Sequence, residues 1–295
     1  MQNGLKPLGR ERLWLWGLLT PTLFGLAFGT IGSLLATLLI SFFNWDLITK
    51  PTLAGLGNYI ALVENASYLK AFTNTIKFAA LYVPGVLVSS LMIAVLLNRK
   101  IRGVSLFRTV YFLPTVTSAV ATALVWNMIY GKDTGILNYL LEGIGLPPVC
   151  WLCRDQAMMS VILVNVWGAI GEGMIIFLAG LTAIPREYYE AATVDGAGNA
   201  QQFLRITLPL ITPSILFQTL ISAINAFQAY DYIYMLTRRG QGESTVPVAV
   251  FSIYRNAFNF FKMGTASAQA IQLALLVALF MALLLWLERR YVVYE

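Results

Sequence analysis

Histidine is absent from this sequence of 295 residues. A catalytic triad built on imidazole and a zinc site with histidine ligands are thereby excluded. Cysteine is confined to Cys150 and Cys153, a CxxC without the second pair that a structural zinc site takes. In an oxidising compartment this pair can close as a disulfide; two unrelated thiols fit the spacing equally well. Charge is also scarce. Asp, Glu, Lys and Arg make up 12% of the chain, about half the share usual in a soluble domain. No GxxxxGK[ST] loop occurs, so the chain carries no P-loop of its own for ATP.

What the sequence holds in excess is apolar surface. Hydrophobic residues make up 58% of it, and its mean hydropathy is +0.70. A water-soluble fold cannot bury that much, so the bilayer is the solvent for most of the chain. The formal charge of +6 does not point to nucleic acid. The basic residues stand in ones, twos and threes between apolar runs and form no continuous phosphate-tracking face. Short basic clusters beside membrane spans act as topology signals.

A spanning helix needs roughly 20 mainly apolar residues. Six stretches qualify: Leu13–Phe43, Ala71–Leu97, Ser105–Tyr130, Ala157–Ala183, Leu210–Leu236 and Ala266–Leu287. Lipid offers no partner to free backbone groups, and the stretches lack barrel-strand alternation, so all are expected to be helices. The first is too long for a signal-peptide core and is read as a retained span. An even number of spans puts both termini on one face. That face would hold ten of the basic residues against eight on the other. The loop 98–103 and the two ends carry most of this signal, which places both termini in the cytoplasm. Residues 237–265 are basic and pull the other way.

Two segments between spans are patterned. Residues 131–156 contain Ile136, Leu137, Leu140, Leu141 and Ile144, a short amphipathic helix ended near Gly145, Pro147 and Pro148. With the termini inside, this segment is periplasmic. Residues 184–209 run IPREYYEAATVDGAGNAQQFLRITLP. Pro185 suits a first helical turn, and Glu187 and Glu190 lie near its positive end. Gly196 breaks the helix, and Asn199 with Gln202 suggests a capping box opening a second one. The result is a helix–glycine–helix knob whose exposed apolar residues want a partner surface. Packing on its own membrane domain is the plainer alternative.

The run Glu190, Ala191, Ala192, Asp195, Gly196, Ala197, Phe203, Ile206, Leu208, Pro209 and Pro213 resembles the EAA motif of permeases of binding-protein-dependent ABC importers. Phe43-Asn44-Trp45, Gly57-Asn58-Tyr59, Phe112-Leu113-Pro114 and Gly135-Ile136-Leu137-Asn138 are similar to the carbohydrate and glycerol-phosphate branch, the one related to the maltose-transporter permease F. The large extra periplasmic domain of that maltose subunit, and its two additional N-terminal spans, have no counterpart here. The resemblance implies an all-α membrane protein with the type I ABC importer permease fold, one transmembrane domain over residues 1–295. It implies a transport subunit, not an enzyme, that moves a sugar or sugar-like solute into a prokaryotic cell across the inner membrane. Glu190, Ala191, Ala192, Asp195, Gly196, Ala197, Phe203 and Pro209 would couple it to an ATPase. It also implies partners: a second, different permease, two ATP-binding subunits that hold ATP and Mg, and an extracytoplasmic solute-binding protein. This chain itself would bind no cofactor.

An ionisable group inside a span costs roughly 3 kcal/mol or more, so it faces a cavity or a partner. Glu172, within a glycine-rich part of the fourth span, and Asp231, late in the fifth, are such groups. A sugar path needs hydrogen-bonding groups and flat aromatic faces. Trp126, Asn127, Asn165, Trp167, Glu172, Asn225, Gln228, Tyr230 and Asp231 supply both kinds. The same residues can serve as glue between helices or as interfacial anchors. The two intramembrane acids also suit a secondary transporter driven by an ion gradient, the alternative reading.

Overall fold

The computed structural model describes residues 9–99, 102–153, 156–239, 243–244 and 246–291. Both chain ends, and Lys6, Lys100 and Arg154 of the charge count, lie outside them. In chain order the elements are α1 (Gly9–Phe24), a π-helical stretch (Gly25–Gly32), α2 (Ser33–Ile40), β1 (Phe43–Asn44), β2 (Thr52–Leu53), α3 (Gly57–Glu64), α4 (Ala66–Leu97), α5 (Val104–Val116) and α6 (Ala119–Ile129). There follow α7 (Ile136–Gly143), α8 (Ala157–Ala183), α9 (Arg186–Val194), α10 (Asn199–Gln202), a π stretch (Phe203–Thr207), α11 (Leu208–Leu210), α12 (Thr212–Phe227) and α13 (Asp231–Thr237). The chain closes with β3 (Arg238–Arg239), β4 (Glu243–Ser244), α14 (Ala249–Tyr254), a third π stretch (Arg255–Asn259) and α15 (Met263–Tyr291).

Among the described residues, four helical stretches are long and apolar enough to cross a membrane: Trp14–Ile40, Ala66–Leu97, Ala157–Ala183 and Met263–Glu288. Two bent pairs bring the number to six. The expected third span is one of them. It does not run straight from Ser105 to Tyr130 but turns by 101° between Val104–Val116 and Ala119–Ile129. Thr117 and Ser118 are extended there, and Thr117 Oγ1 donates to Pro114 O at 2.7 Å. Pro114 has no N–H to return to Val110 O, and where the ladder then ends the Thr117 hydroxyl caps the Pro114 carbonyl. The expected fifth span is broken twice: by 65° before Thr212-Pro213, and again between Gln228 and Asp231. Pro84, in contrast, sits inside an unbroken α4.

The chain divides into two compact units, Met1–Glu64 with Asn256–Gln272, and Asn65–Arg255 with Leu273–Glu295. In the first, the buried Asn58 organises the turn after α2. Its Nδ2 donates to Ser41 O at 2.9 Å and Phe43 O at 3.0 Å. Nearby, the β1–β2 hairpin pairs Phe43 with Leu53 and Asn44 with Thr52, and Met263 N donates to Trp45 O at 2.9 Å. The Phe-Asn-Trp and Gly-Asn-Tyr runs noted in the sequence thus hold one structural knot.

The second unit is built around α8. Helices in lipid gain little from excluding water, so close packing and interhelical hydrogen bonds must hold them. Glycines make that possible on two sides of α8. A Cβ at Gly171 would lie 2.7 Å from Phe112 Cα on α5, and one at Gly173 would lie 2.8 Å from Ser90 Cβ on α4. The neighbours' hydroxyls use the approach: Thr115 Oγ1 donates to Gly168 O at 3.2 Å and Ser90 Oγ to Ile170 O at 3.3 Å. One core layer gathers Phe78, Val86, Val161, Val164, Phe227 and Ile233; another gathers Ala94, Met174, Phe177, Leu181 and Ile211.

The amphipathic segment expected over 131–156 contains α7, ended by Gly145 at φ +78°. Its organiser is the buried Asn138. That side chain donates to Lys132 O at 2.8 Å and Val149 O at 2.9 Å, and accepts from Val149 N and Trp151 Nε1. Cys150 and Cys153 are joined as a disulfide, with Cα atoms 5.3 Å apart.

Candidate transport path and coupling hairpin

The hairpin begins where Pro185, the N-cap of α9, turns the chain out of α8. Glu187 lies in the first turn of α9, where a carboxylate is favoured by the helix dipole. At the other end Asp195 is the C-cap and Gly196 takes φ +81°. Ala197 N donates back to Ala192 O at 2.9 Å and Gly196 N to Thr193 O at 3.1 Å, so the last carbonyls of α9 are satisfied by a left-handed turn that favours glycine.

The second arm differs from the sequence expectation. Gly198, not Asn199, is its N-cap, and no side chain caps it. Gln202 does not reach back to close a box; its Nε2 donates to Thr193 Oγ1 at 3.0 Å and Ala197 O at 3.1 Å. The glutamine therefore staples one arm to the other. Tyr189 Oη and Thr207 Oγ1 lie 2.9 Å apart and tie the arms at their base. Between them the helix widens into a π turn, with Leu208 N–H reaching back to Phe203 O. Pro209 explains the widening, because its ring clashes with the carbonyl four residues back.

Of the residues read as coupling, Glu190, Ala191, Asp195 and Gly196 are exposed, and Ala192, Ala197, Phe203 and Pro209 are half-buried. Val194, apolar and at the tip, is 88% exposed.

Within the same unit lies a cavity of about 300 Å³. Asn165, Gly168, Ala169 and Glu172 contribute to it from α8; their spacing of three and four residues puts them on one helix face. Asn225 at the end of α12, the break Gln228–Tyr230, and Asp231 and Tyr232 at the start of α13 form another wall. Tyr82 on α4 and Pro114 and Thr115 on α5 complete it. The break in the fifth span thus turns two amides, a carboxylate and two tyrosines toward one space, which a straight helix would distribute around its circumference. Asn165 Nδ2 donates to Val161 O at 2.8 Å, which fixes the amide and leaves its carbonyl oxygen and second N–H for a ligand. The lining offers carboxylates, amides, hydroxyls and phenol rings, the groups that recognise a polyhydroxylated solute.

The structure brings Asn165, Glu172, Asn225, Gln228, Tyr230 and Asp231 together around this cavity. It places Trp126, Asn127 and Trp167 elsewhere. Trp126 meets Trp167 edge-on at 5.7 Å and Tyr130 at 5.2 Å, and Asn127 Nδ2 donates to Met235 O at 3.3 Å, tying α6 to α13. Sequence reasoning passed over Tyr82 and Thr115. The one available signal was a phenol two residues before Pro84 and a hydroxyl directly after Pro114.

A bundle of candidate membrane spans with a polar cavity and an exposed hairpin is an architecture suited to transport. The family described as binding-protein-dependent transport system inner membrane component matches residues 54–293. The probable ABC transporter permease protein YesP of Bacillus subtilis is 34% identical over 98% of this chain and 95% of its own. The sn-glycerol-3-phosphate transport system permease protein UgpA of Salmonella typhimurium is 33% identical over 76% of each chain. The trehalose/maltose transport system permease protein MalF of Thermococcus litoralis is 29% identical over 74% of this chain and 72% of its own. A chain in the crystal structure of a bacterial ABC transporter that imports the acidic polysaccharide alginate superposes with a TM-score of 0.84 at 24% identity, covering 95% of this chain and 96% of that one.

The chain belongs to the binding-protein-dependent transport system inner membrane components. It is a multi-pass permease subunit of an ABC importer of the inner membrane, with the type I permease fold, and not an enzyme on its own.

Proposed function

We propose that this permease moves a sugar or sugar-like solute into the cytoplasm, and that the cavity between α4, α8 and the α12–α13 break is its part of the path. The supporting observation is the meeting of Glu172 and Asp231 with Asn165, Asn225, Gln228 and Tyr230 in one space of about 300 Å³. Relatives named for trehalose/maltose and glycerol phosphate transport favour the same substrate class.

The remaining parts of the reading rest on the family resemblance, the distribution of basic residues and the hairpin. Both termini and the hairpin face the cytoplasm; the segment 131–156 faces the other side. A second, different permease completes the path, and an extracytoplasmic binding protein delivers the solute. Two ATP-binding subunits hold ATP and Mg and receive the hairpins. Their closure pushes Glu190, Ala191, Ala192, Asp195, Gly196, Ala197, Phe203 and Pro209 as one body and rocks the helices between outward and inward access.

The test is Glu172→Ala in the assembled transporter. Uptake kinetics are expected to change more than assembly does. Unchanged uptake removes Glu172 from the path.

A further inference from the structure

We infer that the path through this chain discriminates against negatively charged solutes and admits sugars that are neutral or carry an amino group. This rests on the cavity being part of the path. Its lining contains two carboxylates, Glu172 and Asp231, and no lysine or arginine among the described residues. Lys77, on the same α4 that supplies Tyr82, is exposed and does not line it. All remaining polar groups are neutral: the amides of Asn165, Asn225 and Gln228, the hydroxyl of Thr115, and the phenols of Tyr82, Tyr230 and Tyr232.

A carboxylate accepts charge-assisted hydrogen bonds from sugar hydroxyls and from an ammonium group. It repels a phosphate or a uronate, and in a confined space of low effective dielectric that repulsion is felt well beyond contact. Glu172 reaches the space from α8 and Asp231 from α13, so the negative field in it is supplied from two helices. Glycerol phosphate and acidic polysaccharide, the solutes named for two similar systems, are therefore of the disfavoured kind.

The field in the cavity can be read without knowing the solute. Asn225→Cys places a thiol in the lining, while the native Cys150 and Cys153 are joined to each other. In membranes carrying the assembled transporter, this thiol is treated with methanethiosulfonates of the same size bearing either a trimethylammonium or a sulfonate group. The expected cationic-to-anionic rate ratio is at least about tenfold above that of a free thiol in the same buffer. Adding Glu172→Gln and Asp231→Asn should collapse it to within about threefold. A ratio equal to that of the free thiol overturns the charge inference, and the path reading then still stands if modification blocks uptake. Modification that leaves uptake untouched overturns both.

Discussion

The hydroxyl oxygens of Tyr189 and Thr207 lie 2.9 Å apart, joining the first helix of the coupling hairpin to the start of the segment that returns to the bundle. Together with the Gln202 staple at 3.0 and 3.1 Å, this contact ties the two arms of the hairpin to each other. A push on a loose loop would be absorbed; a push on a tied one reaches α12, which supplies Asn225 to the cavity.

Tyr189→Phe removes one hydroxyl of that tie at a cost of about 1 kcal/mol. The ATP-binding subunit should still co-purify, while solute moved per ATP hydrolysed falls severalfold. Paired uptake and hydrolysis assays on the same vesicles check this; an unchanged ratio removes the tie from the coupling route.

Gly196→Trp strains a backbone at φ +81° and puts an indole on the hairpin's exposed surface. Beyond its two chain neighbours, no atom of the described residues lies within 4 Å of a Cβ at this position, so there is room for it. Membrane insertion should be normal and co-purification of the ATPase lost. Retained co-purification would free the turn from any docking role.

Gly171→Leu drives a side chain into the backbone of α5, where a Cβ would already lie 2.7 Å from Phe112 Cα. The expected loss is about 3 kcal/mol, toward the upper end for overpacked cores. Thermal unfolding in detergent should drop by several degrees. Gly198→Ala, with nothing within 4 Å of the new Cβ, serves as the control.

Asp46 accepts from Ile48 N at 2.9 Å, Thr49 N at 2.7 Å and Thr49 Oγ1 at 2.8 Å. The backbone bond from Thr49, then that from Ile48, holds its carboxyl below the ordinary value. A lowered folded-state value means a contribution fully present above the unfolded carboxylate range and lost as pH falls through the folded one. Protease sensitivity of residues 45–50 should therefore stay constant from neutral pH to about 4 and rise only below it. Asp46→Ala should raise it at neutral pH and converge with the wild type once the carboxyl is protonated.

Apolar run length made the straight spans legible: α8 was expected over Ala157–Ala183 and lies there. The hairpin was legible too, because its turn needs a glycine at one place and its two arms carry helical spacing. The bends were not. Hydropathy records how apolar a stretch is and is blind to its direction, so Thr117-Ser118 and Gln228–Tyr230 passed as mid-span residues. That blindness also hid Tyr82 and Thr115, whose place beside Glu172 is set by the packing of α4 and α5 on α8. Asn138 reads as one more residue of an amphipathic helix; only the fold reveals the loop closing around its amide.

The account stands or falls on the hairpin tip meeting the ATPase. A photoactivatable phenylalanine at Val194, which is 88% exposed, reads that contact in the assembled transporter. The account predicts a cross-link to the ATP-binding subunit whose yield changes when ATP is added. A tip that labels only lipid or the binding protein would contradict it.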